Sequence, residues 1–232
     1  MSSQSINYRG LNIPFVSFGN VSSDDLFSEK EQAIFDFYEK NKSRYRRVLD
    51  IGANIGVHSI LMARQGWEVK AFEPIPWHFG EWQMNYIHSG HLAGSATCRQ
   101  KAVSDHDGFE TFVCVQGNTT GSHLKGDKKP YGELEEFEVG VVDCRPLFKW
   151  ADFAKIDCEG HEAKLLLTMT NETKCDFMVE VGTPANAVSI YQHLKPLGLR
   201  MWAQNRNWQE VTSMGHMPVH HSEGALFIGE SL

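Results

Sequence analysis

The stretch Val48-Leu49-Asp50-Ile51-Gly52-Ala53-Asn54-Ile55-Gly56-Val57-His58 places an acid and two glycines at the end of an apolar run. Glycines at such a turn leave backbone bare, so a ligand can lie against it. A dinucleotide turn reads G-x-G-x-x-G; this one reads G-x-x-x-G and carries Asp50 ahead of it. A carboxylate there repels pyrophosphate and suits a cation. S-adenosylmethionine (SAM) has two positive centres, its sulfonium and its α-ammonium, and Asp50 is placed to pair with the latter, directly or through water. Glu73, in Ala71-Phe72-Glu73-Pro74, ends the next apolar run. An acid at that place can accept both hydroxyls of a ribose. A glycine turn alone is common, and an acid at a strand end can be a simple helix cap. Together they point to a cationic nucleoside.

A second constellation is Lys155-Ile156-Asp157-Cys158-Glu159-Gly160-His161-Glu162. If the cationic nucleoside is a methyl donor, transfer is an in-line displacement, and the protein has to align the acceptor and remove or accommodate its proton. Lys155 and Asp157 share one side of a strand by period-two alternation. Asp157 or Glu159 can serve as general base or anchor, and His161 is the histidine best placed for chemistry. Two other uses compete. Asp157 and Glu180 could ligate a divalent cation, and Glu159 and Glu162 could simply stabilise the first turn of the next helix. His216, His220 and His221 have only Glu223 at compact spacing and read as a solvated loop, so no metal site is assigned. His58 packs at a helix start, and Trp202 and Trp208 belong to the core or rim. Lys125, Lys128 and Lys129 read as mobile-loop residues.

The elements that must position these residues follow from periodicity. Ser28-x-x-Glu31 is a capping-box pattern, followed by Ala33, Ile34, Phe37 and Tyr38 at helical spacing. Strands are expected at 47–51, 67–72, 99–103, 153–156 and 176–181, and helices at 57–65, 76–87 and 162–169. A further helix opens at Thr183-Pro184 with Ala187, Val188, Tyr191 and Leu194 inward. Alternating strands and helices imply βαβ units and a parallel sheet. Residues 109–115 and 137–142 form an antiparallel pair around a loop at 116–133, and 199–203 and 225–228 close the chain, the final strand reversed. The expected organisation is one domain over 1–232, with an N-terminal cap and helix at 1–45 and a hairpin or lid insertion at 105–145.

Four segments together resemble the FkbM-type family of class I SAM-dependent methyltransferases: Asp50-Ile51-Gly52-Ala53-Asn54-Ile55-Gly56, Phe72-Glu73-Pro74, Ala102-Val103-Ser104-Asp105 and Lys155-Ile156-Asp157-Cys158-Glu159-Gly160-His161-Glu162. The resemblance spans roughly residues 47 to 182, with a terminal strand at 225–229. It implies an α/β Rossmann-like class I methyltransferase fold, a mostly parallel sheet with an antiparallel last strand and a β-hairpin insertion. It implies SAM as donor, S-adenosyl-L-homocysteine as product, and an oxygen acceptor on a sugar, glycan or small natural product. By the same resemblance Gly52, Ala53, Asn54 and Gly56 line the methionine end, Glu73 with Pro74 holds the ribose, and Ser104 lies near the adenine. Residues 116–133 depart from the family pattern, so acceptor identity does not carry over.

A net charge of −7 argues against a nucleic-acid partner, including a 2′-O-methylation substrate. Five scattered cysteines without a C-x-x-C pair suit a reducing compartment. No apolar run approaches the roughly 18 residues of a membrane span, and the first residues lack a signal-peptide core, so the expected address is the cytoplasm. The alternatives are an NAD-type oxidoreductase and an inactive nucleotide-binding module on the same fold.

Overall fold

The computed structural model describes the backbone of residues 4–8 and 11–15, and residues 26–129 and 131–232 with their side chains. An antiparallel hairpin, β1 (Gln4–Tyr8) and β2 (Leu11–Phe15), comes first; the rest of the expected N-terminal cap lies outside the described residues. The Ser28 hydroxyl accepts the Glu31 N–H and caps α1 (Glu29–Lys40), which buries Ile34, Phe35, Phe37 and Tyr38. β3 (Arg47–Ile51) is buried from Val48 onward, as an interior parallel strand must be. Then come α2 (Val57–Arg64), β4 (Glu68–Phe72), α3 (Pro76–His88) and β5 (Ser95–Arg99).

The third core strand is therefore Ser95–Arg99, not 99–103 as expected. β5 is an edge strand of Ser, Ala, Thr, Cys and Arg, half exposed and without an apolar run. The apolar pair that mimicked a core strand, Ala102-Val103, belongs to β6 (Ala102–Ser104) in a second sheet. That sheet also holds β7 (Gly108–Val115), β8 (His123–Leu124) and β9 (Leu134–Asp143), in the order β6-β9-β7-β8. β7 and β9 pair antiparallel and form the hairpin insertion.

Asp143 accepts the Arg145 N–H and caps a short helix that periodicity had not shown, α4 (Cys144–Trp150). The remaining elements are β10 (Phe153–Ile156), α5 (Glu162–Leu166), β11 (Asp176–Glu180), α6 (Pro184–Leu194), β12 (Met201–Ala203), β13 (Gln209–Glu210) and β14 (Ala225–Ile228). In α6 Ile190 is fully buried and Val188 is exposed, a one-step rotation from the expected face.

The main sheet runs β13-β12-β14-β11-β10-β3-β4-β5. β10, β3, β4, β5 and β11 are mutually parallel, and β14 enters antiparallel between β11 and β12. A parallel sheet whose last long strand is inserted backwards beside the penultimate one is the Rossmann-like class I methyltransferase fold. Each face carries its own core. Phe35, Tyr38, Trp67, Phe153 and Phe227 pack on one side, and Leu49, Ile51, Leu165, Phe177 and Ile190 on the other. The strand order reverses between β3 and β10, which opens a crevice at their carboxyl ends. Among the described residues, no helix is long and apolar enough to cross a membrane.

Candidate active site

The turn after β3 is held from within. The N–H groups of Gly52 and Ala53 both donate to the Phe72 carbonyl, each at 3.0 Å. Gly52 has φ +79°, and a Cβ there would lie 1.7 Å from the Asp157 carbonyl oxygen. Gly56 has φ +92°, and its Cβ would meet the Trp82 ring at 2.6 Å. The space that bare backbone leaves is thus filled by the turn after β10 and by α3. Gly56 packs on Trp82 and lines neither of the two cavities that flank the turn.

The first cavity, about 100 Å³, opens between Glu73 and the second sheet. Its apolar wall includes Phe72, Ile75, Val103, Phe112 and Leu124; Gly52, Asn54, Pro74, Asp157, Glu159 and His161 also border it. Glu73 is 4% exposed and accepts the Asn54 N–H at 2.8 Å and the Ile75 N–H at 2.9 Å, one on each oxygen. A carboxylate oxygen takes more than one hydrogen bond, so acceptor capacity remains. Ser104 is fully buried; its hydroxyl donates to Glu110 at 2.7 Å and lies 3.1 Å from His161 Nε2. The cavity wall at this strand is formed instead by Ala102 and Val103.

The second cavity, about 130 Å³, lies over the glycine turn and is bordered by Gly52, Ala53, Asn54, Lys155 and Asp157, with Glu31 and His58 also lining it. Asp50, expected to line the donor site, is fully buried and borders neither cavity. Its Oδ2 accepts from Ser59, and its Oδ1 has no hydrogen-bond partner. Lys155 is its register partner on β10 and is 7% exposed, with Nζ 3.1 Å from Asp157 Oδ2. Burial alone would lower the Lys155 pKa, but Asp157, Asp50 and Glu31 outweigh it and hold the ammonium above its usual range.

Sequence reasoning missed Glu31 and His58. Tyr38 Oη lies 2.9 Å from His58 Nδ1, and His58 Nε2 lies 3.0 Å from Glu31 Oε2. Burial pushes the Glu31 carboxyl up, yet the hydrogen bond and charge of His58, with Lys155, bring it below its ordinary value. The capping-box spacing explained Glu31 completely and so concealed a second role, since nothing local marks a helix that folds back over the crevice.

The turn after β10 is rigidly built. Glu162 accepts the N–H groups of Cys158 and Gly160 on one oxygen and the Asn186 side chain on the other. His161 is 2% exposed, with Nδ1 2.8 Å from Asp127. Both its ring nitrogens are engaged, which makes it a pinned wall residue. Glu159 sits at φ +56°, a region that costs a non-glycine residue about 1–3 kcal/mol and recurs at functional sites. Burial first, then the Asp157 charge, lift its pKa to about 7 against the opposing Lys128 cation. Lys128, expected to be a mobile-loop residue, pairs with the Glu159 carboxylate. Together with Asp127–His161 and Thr119, whose hydroxyl lies 2.9 Å from His78 Nε2, it docks the 116–133 segment on the crevice.

Glu180, at the end of β11, is raised well above its usual range by burial and then by the Asp157 charge. Among the described residues, no group of three or more His, Cys, Asp or Glu side chains is gathered as a metal ion requires. Trp202 is 8% exposed and packs on Phe227 in the core.

No protein-family model matches the sequence, and no curated protein matches it. Solved structures do. The chain is similar to the methyltransferase FkbM from Methylobacillus flagellatus, at 12% identity and a TM-score of 0.48 over 79% of this chain and 43% of that one. It is similar to a human methyltransferase 10 domain containing protein, at 12% identity and a TM-score of 0.49 over 96% and 90% of the two chains. It is also similar to a ribosomal protein L11 methylase from Lactobacillus delbrueckii subsp. bulgaricus, at 12% and 0.43 over 87% and 80%. The chain thus spans less than half the length of the first of these. Its fold is defined by the order and direction of its own strands.

Proposed function

We propose that this chain is a SAM-dependent methyltransferase of one domain, transferring a methyl group to an oxygen of a sugar, glycan or small natural-product acceptor. The observation that carries the proposal is Glu73: a carboxylate at the end of β4, beside the glycine turn, bordering a cavity whose opposite wall is apolar. Such a site offers acceptors to ribose hydroxyls and a hydrophobic slot to a purine.

The residues present fit the donor. Glu73, with Pro74 alongside, receives the ribose; Gly52, Ala53 and Asn54 border the methionine portion. Asp50, fully buried and bordering neither cavity, acts on the donor through its charge, and its Oδ1 is an unpartnered buried acceptor. Glu31, Asp50 and Asp157 around one lysine leave an excess of negative charge, which favours a cation and disfavours a phosphate chain. When bound, SAM supplies a methyl carbon activated by its positive sulfur. Asp157, whose side chain is 29% exposed, accepts the acceptor's proton. Glu159, with its pKa near 7, is the alternative base. His161 positions Asp127 and hence the 116–133 lid, which keeps water from the reacting centre.

Thermal shift separates this reading from an NAD-type oxidoreductase. S-adenosylhomocysteine should raise the melting temperature, and NAD should not. The reverse result, or unchanged calorimetric affinity for SAM in both Asp50→Ala and Glu73→Ala, would overturn the assignment.

A further inference from the structure

A third cavity, about 720 Å³, adjoins the one over the glycine turn. It lies between the first turn of α1 and residues 221–225, with Ile156, Met178 and Glu180 among its lining residues. Among the described residues, only Glu31 and Lys155 border both. Lys155 is nine-tenths buried, and its ammonium is fixed by Asp157 on the donor side. The wall opposite the sheet is held in place: Lys30 Nζ bonds the Ser222 carbonyl, and the Gln204 amide donates to the Lys30 carbonyl at 2.9 Å.

Building on the methyltransferase reading above, we infer that this third cavity is the acceptor site and that Glu31 and Lys155 flank the point where the methyl group crosses into it. Lys155 donates a hydrogen bond to the acceptor oxygen and orients it. The acceptor's hydroxyl proton goes to the Asp157 carboxylate, a bond forms between that oxygen and the methyl carbon, and the carbon–sulfur bond breaks with its electron pair passing to sulfur. The products are the methyl ether and neutral S-adenosylhomocysteine. Polar walls from Ser28, Glu29, Thr120, Gln204 and Ser222 over an apolar floor suit an acceptor with many hydroxyls on an apolar ring, the character of a carbohydrate.

Binding alone tests this. Sinefungin carries an ammonium group where S-adenosylhomocysteine has only a thioether sulfur, so it places a positive charge at the methyl position. Calorimetry on Lys155→Met should show a preference for sinefungin over S-adenosylhomocysteine increased about tenfold, because a like charge is removed at the methyl position. Glu31→Gln should reduce that preference about fivefold, since an opposite charge is lost. Should Lys155→Met fail to fold, Glu31→Gln decides the matter alone. A third arm uses N-propyl sinefungin on the wild type, where the tail enters the cavity and affinity stays within about tenfold of the parent. Unchanged preference in the folded variants, or a loss of about a hundredfold on adding the propyl group, overturns the inference. A wild type that binds sinefungin and S-adenosylhomocysteine not at all overturns the methyltransferase reading, and this inference with it.

Discussion

The Glu73 carboxylate accepts the Asn54 N–H at 2.8 Å, so the proposed ribose ligand also holds the glycine turn. Its second oxygen fixes the Ile75 N–H at the entrance to α3. Glu73→Ala is therefore expected to do two things. SAM affinity should fall at least about a hundredfold, and two backbone donors lose their partner at about 1–3 kcal/mol each. Glu73→Gln keeps a carbonyl acceptor and should recover part of the stability without the affinity. Thermal denaturation and calorimetry on both variants check this, and an unaltered melting temperature in Glu73→Ala would remove the structural half of the role.

Cutting the contacts of the proposed 116–133 lid should free that segment. Asp127→Ala breaks the link to His161, and Lys128→Ala breaks the link to Glu159. The double variant should exchange the amide hydrogens of residues 119–129 about tenfold faster while the β3 and β10 amides remain protected. Uniformly faster exchange across the sheet would mean that these contacts hold the fold, not the lid.

Glu159 makes stability depend on pH in a definite direction. Its folded pKa is near 7, above the unfolded value of 4.5, so between those values the folded chain holds a proton that the unfolded chain has lost. Stability contributed by this group is complete below about pH 4.5 and declines as pH rises through 7. Glu159→Gln should accordingly gain on the wild type by on the order of 1–3 kcal/mol at pH 8 relative to pH 4. Parallel stability curves for the two proteins across that window would contradict the assignment.

Gly52→Ala should be among the most damaging single-methyl additions in the chain. The new carbon would overlap the Asp157 carbonyl at a positive φ, so either β3 or the turn after β10 must move. A loss of about 3 kcal/mol or more is expected, or failure to accumulate as soluble protein. Ala53→Gly, one residue along, supplies the control; it should cost about 1 kcal/mol or less.

How much of this was legible depended on whether a residue's partner lay nearby in sequence. β3 and β10 read correctly because burial on both faces produces an apolar run. β5 did not, because an edge strand needs no such run, and Ala102-Val103 supplied a false one. Among the candidate site residues, Glu73, Asn54, Asp157 and Glu159 border the first cavity. Ser104 and Gly56 turn to internal partners, a hydroxyl network and the Trp82 ring. Glycine at 56 says only that something approaches closely; sequence does not say whether that is ligand or protein. Glu31 and His58 escaped notice because their pairing joins two helices across the crevice.

The helix that carries Glu31 has consequences for how this protein could change. Its first turn borders the proposed acceptor cavity, whereas Phe35, Phe37 and Tyr38, barely a turn later, are sealed into the aromatic core. Adaptation to a new substrate can therefore draw on Glu29, whereas Ser28, Lys30 and Glu31 are already committed to the cap, the Ser222 contact and the His58 pair. The register of the whole segment is locked by its other end.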